Sequence, residues 1–317
     1  MAQEVLSIVV PCYNEEAVLT AFYDAITKIA EQISDKVSCE FLFVDDGSKD
    51  GTLRLIKEFS AQDERVHYIS FSRNFGKEAG IYAGLKNATG DYVVVMDADL
   101  QHPPEYIPEM LRNIQSGEYD SVAMRRLDRK GEKRIKAWFS KQFYKLNKKI
   151  SGVDIPEGAT DYRMMTRTML QAVLSLDEVN RFTKGIFTWV GFRTLWLSYH
   201  NVERPAGESK WSFWGLVKYS LNGIVAFSTV PLAIASVLGA ICCVISLLMV
   251  LFYILKTLIF GDPVAGFPTL ITVILFLGGI QLLMIGILGQ YLSKTYMEVK
   301  HRPMYIAKEQ KVGKTEE

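Results

Sequence analysis

The sequence predicts an α/β domain with a mostly parallel sheet over residues 1–208, followed by interfacial helices and two transmembrane α-helices. Three observations carry this. Strand-like apolar runs alternate with amphipathic stretches through the first part of the chain, polar motifs sit just after those runs, and two late stretches contain no Asp, Glu, Lys or Arg.

The first part reads LSIVVP, a helical stretch after Glu16, CEFLFVDD, a helix after Thr52, VHYISFS, a helix from about Lys77, and DYVVVMD. Strands alternating with helices imply a mostly parallel sheet. The unbroken apolar runs Leu6 to Val10 and Tyr92 to Met96 suit strands covered on both faces. Pro11 to Glu15, Asp45 to Ser48 and Asp97 to His102 then fall at carboxyl strand ends, where open α/β sheets bind ligands.

A basic amphipathic segment at 125–150 sets Ile135, Trp138, Phe139, Phe143, Leu146 and Ile150 at helical spacing among lysines and arginines. Such a helix lies on an anionic membrane or packs on the core, and both readings stay open. A nucleic-acid role loses because the chain is tethered to a bilayer. Residues 209–228, with Trp211, Phe213, Trp214 and Tyr219, form a juxtamembrane interfacial helix.

No charged residue lies between Lys218 and Lys256, or between Asp262 and Lys294, whereas a span needs only roughly 20 apolar helical residues. The expected transmembrane helices are 229–258 and 268–292, with a cytosolic basic tail at 293–317. Arg204, Lys210 and Lys218 before the pair, and Lys294, Lys300 and Arg302 after it, mark the cytoplasmic side. The start of the chain has no secretory leader pattern. The expectation is a multi-pass protein of the bacterial cytoplasmic (inner) membrane with the catalytic domain and both termini in the cytosol. Cys12, Cys39, Cys242 and Cys243 form no CxxC pair and no Cys/His cluster, so neither disulfides nor zinc are indicated.

The chemistry concentrates in MDADLQHP. Asp97 and Asp99 form a DxD pair of hard oxygen donors suited to Mg²⁺ or Mn²⁺ shared with a nucleotide diphosphate, and Gln101 adds a neutral oxygen. A metal there stabilises a departing diphosphate as a Lewis acid. Asp46 is a candidate for the donor base or ribose, or a turn residue and helix cap before Thr52. In PCYNEE, Pro11 stiffens the strand exit, Tyr13 stacks on a base and Glu15 binds its polar edge or the ribose. Of four histidines only His102 lies near these motifs. It has no identifiable base, nucleophile or orienting partner and is assigned no catalytic role.

Together PCYNEE, VDDGS and DADLQHP, in this order, resemble family 2 glycosyltransferases of the Rossmann-like GT-A fold. SFSRNFGKEAG, EGATDYRMM and ERPAGESKWS extend the resemblance to the polyprenyl-phosphate sugar synthases, bactoprenol glucosyltransferases and dolichyl-phosphate mannose synthases among them. The resemblance implies nucleotide-sugar contacts at Pro11, Tyr13, Glu15, Val44, Asp46, Asp97, Ala98, Arg125, Arg204 and Lys210. It implies metal contacts at Asp97, Asp99 and Gln101. Catalytic roles fall on Asp161, Arg204 and Lys210, and acceptor-phosphate contacts on Arg163 and Arg125. Trp211 departs from the family pattern after the Ser-Lys pair and leaves Lys210 in place.

Asp161 resembles the position assigned as base, but a lipid phosphate with a second pKa near 6 is already largely a dianion at neutral pH. Orienting the acceptor, touching the metal and capping a helix stay open for it. The expected reaction is inverting transfer of one sugar, UDP-glucose first among donors, to undecaprenyl phosphate for cell-envelope glycosylation. The absence of Q-x-x-R-W counts against a processive polysaccharide synthase, and the intact acidic and basic motifs count against a non-catalytic scaffold. A homo-oligomer stays open.

Overall fold

The computed structural model describes residues 3–127, 156, 158–200, 230–260 and 266–312. Among these, eight strands make one sheet in the order β7-β5-β6-β4-β1-β2-β3-β8. The strands are β1 Val5–Cys12, β2 Ser38–Asp45, β3 Val66–Phe71, β4 Tyr92–Val95, β5 Ser121–Arg126, β6 Ala159–Thr166, β7 Thr194–Tyr199 and β8 Ala307–Lys311. β3, β2, β1 and β4 run parallel; β6 is antiparallel to both β4 and β5, β5 is parallel to β7, and β8 is antiparallel to β3.

The helices are α1 Glu16–Gln32, α2 Thr52–Gln62, α3 Lys77–Asn87, α4 Ile107–Gln115, α5 Arg167–Leu174, α6 Thr183–Trp189, α7 Val230–Phe260 and α8 Phe267–Val299. α1 buries Val18, Leu19, Phe22, Ile26 and Ile29, the stripe that a 3.6-residue period places on one face. It packs with α2 and α4 on one side of the sheet, around Ile8, Val10 and Phe43, while α3, α5 and α6 cover the other side, around Val9, Val44 and Val95. Because side chains alternate along a strand, β1 supplies both cores at once, which explains its unbroken apolar run. Gly84 lets α3 lie close on the sheet: a Cβ there would collide with Val9. That close approach carries the start of α3 over the ends of β1 and β4.

α7 and α8 are 31 and 33 residues long and span the stretches expected to cross a membrane. Phe276–Val299 is long and apolar enough to do so, and Val230–Cys242 is a shorter apolar helical stretch. Side chains such as Leu258, Leu282 and Ile285 stand mostly exposed along the pair, an arrangement that suits lipid rather than water.

Past residue 292, where the expected second span ends, α8 continues to Val299, and β8 then joins the edge of the domain's own sheet, pairing Ile69 with Gln310 and Ser70 with Glu309. Tyr305 stacks on Phe71 with ring centroids 4.8 Å apart, the Ser72 N–H donates to the Ile306 carbonyl, and Lys57 meets Glu309 at 2.6 Å. The end of α8 is held as well, since the Glu298 carboxylate accepts the backbone N–H groups of Val179 and Asn180 at 3.1 Å.

Candidate active site

The loops after β1 and β2 are stitched together. The Asn14 N–H donates to Ser48 Oγ at 3.0 Å, Asn14 Oδ1 accepts from the Lys49 N–H at 2.8 Å, and the Glu15 N–H donates to Thr52 Oγ1 at 2.9 Å. Asn14 itself sits at φ +53°, a left-handed conformation asparagine tolerates. Gly47, at φ +64°, lies so close to the following strand's exit that a Cβ would come within 2.5–2.9 Å of the Arg73 and Asn74 backbone. Pro11, Tyr13 and Glu15 are half-buried on this rim.

Asp46 is buried, and its two carboxylate oxygens accept the N–H groups of Phe75 at 2.6 Å and Gly76 at 2.9 Å. Burial raises its pKa against those bonds. Asp46 thereby organises the SRNFG loop that launches α3. Of two further expected donor contacts, Val44 has no exposed surface and packs beneath α3, and Ala98 is 2% exposed.

Asp97 lies two residues past β4. The β4–β6 ladder runs from Tyr92 opposite Thr166 to Val95 opposite Arg163, and two more steps set Asp97 opposite Asp161. Two facing carboxylates repel, and the ammonium of Lys77, the first residue of α3, bridges them at 2.8 Å each. Lys184 on α6 stands 3.9 Å from Asp161. Burial alone would raise the Asp161 carboxyl, but Lys184 and Lys77 outweigh it and hold the group well below the usual range. For Asp97 the same contest between burial on one side and Lys77 and His102 on the other also ends with the pKa lowered. Asp161 is thus kept ionised and makes a poor proton acceptor.

Asp99 is 8% exposed and accepts the Gln101 N–H at 3.1 Å, and Leu100 between them adopts φ +58°. Among the described residues no group of three His, Cys, Asp or Glu side chains forms a ready-made metal cluster. Two carboxylates of a DxD loop nonetheless fit a cation that draws its remaining ligands from water and diphosphate oxygens.

Strand geometry separates Arg125 from Arg126. Side chains alternate on β5, so Arg125 turns to Ser198, with its Nε 2.9 Å from Ser198 Oγ, while Arg126 reaches Gln101 Oε1 at 3.3 Å and the Tyr199 hydroxyl at 3.1 Å. Arg126, next in sequence, is the guanidinium beside the DxD loop. Arg163 is 2% exposed, bonded to Ser121 Oγ at 3.2 Å and flanked by the Phe187 and Trp196 rings. Arg204 and Lys210 lie outside the described residues, as do the interfacial helix at 209–228 and most of the basic segment.

Sequence reasoning missed Lys77, Lys184 and Arg126. Lys77 was legible in principle, because a residue opening the helix after a parallel strand stands at the ligand-bearing edge.

A model of the family described as glycosyl transferase family 2 matches residues 7–174. The bactoprenol glucosyl transferase of Shigella phage SfV is 43% identical over 306 residues, 96% of this chain and 99% of its own length. The SfII prophage-derived bactoprenol glucosyl transferase of Shigella flexneri is 43% identical over 97% of this chain and 99% of its own. A prophage bactoprenol glucosyl transferase homolog of Escherichia coli (strain K12) is 42% identical over 96% and 98%.

Proposed function

The chain belongs to glycosyl transferase family 2, and on that premise we propose that it moves a single sugar from a nucleotide sugar, UDP-glucose first among donors, onto polyprenyl phosphate. The observation that carries this reading is the facing pair Asp97 and Asp161, bridged by Lys77 at the ligand edge of the sheet. It occurs in a chain related end to end to bactoprenol glucosyl transferases.

An oxygen of the acceptor phosphate attacks C1 of the sugar while the bond from C1 to the β-phosphate oxygen breaks. The electron pair departs with the nucleoside diphosphate, and C1 inverts. The nucleophile is already anionic near neutral pH, so no enzyme base is required. Asp97 and Asp99, with Gln101, would hold Mg²⁺ or Mn²⁺, which would supply Lewis-acid neutralisation of the departing diphosphate. Tyr13 and Glu15 receive the nucleoside, Arg126 steadies the DxD loop through Gln101, and Asp161 with its two lysines orients the acceptor side. Arg204 and Lys210 supply the cations where the two phosphate groups meet.

Both long helices cross the bacterial inner membrane, with the catalytic domain in the cytosol beside the nucleotide-sugar pool. The test is incubation of detergent-purified protein with radiolabelled UDP- and GDP-sugars and undecaprenyl phosphate. One lipid-linked sugar, UDP-glucose preferred, is the expected product; a polymer, or no product with any donor, refutes the reading. In the same assay Arg204→Ala and Lys210→Ala should lose at least about tenfold in turnover, equivalent to ~1.4 kcal/mol. Activity within about twofold of the parent removes both from the phosphate site.

A further inference from the structure

His102 is 1% exposed and has no part in the reaction as written, yet it closes the DxD loop on itself. β4 ends at Val95, and the Met96 N–H still reaches β1 through the Val9 carbonyl. The next N–H, that of Asp97, points to the β6 side beyond the end of the ladder and donates instead to His102 Nδ1 at 2.9 Å. The imidazole accepts at Nδ1, so its ring proton sits on Nε2, which lies 3.8 Å from Asp97 Oδ2. One ring therefore addresses both the backbone and the carboxylate of the same residue.

The ring is itself fixed. It stacks on Tyr162, with centroids 5.2 Å apart and planes 19° apart, and the Tyr162 hydroxyl donates to the Pro103 carbonyl at 2.9 Å. Tyr162 has no exposed surface and sits on β6 next to Asp161. The intervening turn depends on Leu100 in the left-handed region, a conformation that branched and bulky residues hold only when their surroundings enforce it.

We propose that His102 is a positioning residue of the donor site, whose Nδ1 holds the Asp97 N–H and so aims the Asp97 carboxylate at the metal-diphosphate position. This rests on the reading of Asp97 as a donor-site ligand. It is a claim about one atom, which makes it separable from packing. In an asparagine the Oδ1 falls where Nδ1 stands and accepts the same N–H. A glutamine amide extends to the Nε2 position and offers no acceptor at Nδ1. A phenylalanine keeps only the stack on Tyr162.

The experiment compares His102→Asn, His102→Gln and His102→Phe in full-length detergent-solubilised protein. It uses amide hydrogen exchange over the Val95–Leu100 segment and calorimetric binding of UDP with Mn²⁺. Asn should keep the exchange protection and bind within about threefold of the parent, whereas Gln and Phe should lose the protection and about tenfold or more in affinity, the usual scale for removing a partner behind a ligand. Retention of both properties by Gln or Phe overturns the proposal, as does loss of both by a folded Asn variant. Should the variants fail to fold, ¹⁵N resonances of the parent's His102 decide the matter: a protonated Nδ1 refutes the bond. Lost protection with unchanged UDP–Mn²⁺ affinity also overturns it, and by sparing the exchange arm it places the fault in the reading of Asp97.

Discussion

At the scale of single residues, the site divides into groups that meet ligands and groups that aim them. Asp97→Asn and Asp99→Asn each remove a charged oxygen donor from a loop held mainly by backbone and neighbouring side chains. Turnover should fall by about a hundredfold or more while the thermal midpoint moves only a few degrees, checked by paired assays with and without chelator. Asp161 gives a prediction in pH. Its folded pKa is depressed, so the stability its ion pairs contribute is fully present above the unfolded value near 4 and is lost only as pH falls through the folded value below it. The acid limb of activity should therefore follow the acceptor phosphate, with a midpoint near 6, and Asp161→Asn should slow transfer without moving that midpoint. Disappearance of the limb in the Asn variant makes Asp161 the base after all. Legibility in the sequence followed residue type here. The acidic motifs at strand ends were readable because their spacing and their strands were both in view. Arg125 was preferred to Arg126 because the phase of a strand, hence which of two adjacent arginines faces the loop, is fixed by pairing partners far away in the chain. The burial of Arg163 was hidden for a similar reason: beside Asp161 in sequence, it lies between aromatic rings from α6 and β7.

At the scale of elements, β1 to β4 and the helices between them followed from apolar periodicity, and the long helices from their lack of charge. β8 did not. AKEQK carries no apolar alternation, because an edge strand covered on one side only has little to bury, and lysines and glutamates are usual on edges. Its identity comes from β3 and from Tyr305, contacts made across more than two hundred residues. Glu298→Ala frees the backbone N–H groups of Val179 and Asn180 in the segment leading into α6, which carries Lys184. We expect a lower thermal midpoint and a raised KM for the lipid acceptor, with donor affinity kept, because Lys184 serves the acceptor side. Steady-state kinetics against each substrate in turn checks this, and an equal loss for both substrates counts against it.

At the scale of the whole molecule, α8 is roughly 50 Å long, against a hydrocarbon thickness of about 30 Å. Its last turn meets the catalytic domain, where Glu298 holds the Val179 and Asn180 N–H groups. On the proposed two-span topology, a cysteine introduced between residues 261 and 267 should react with an impermeant reagent from outside intact cells, and one placed just after Lys300 should not. The reverse pattern inverts the topology. The return of β8 also has a consequence in time. A ribosome finishes β1 to β7 well before it reaches Ala307, so the nascent domain waits with the β3 edge unpaired while about a hundred further residues, including both long helices, are made. An unpaired edge invites pairing with another chain. The last strand to be made is therefore the one that closes this edge, and the β3 flank stays open to other chains until both long helices have been synthesised.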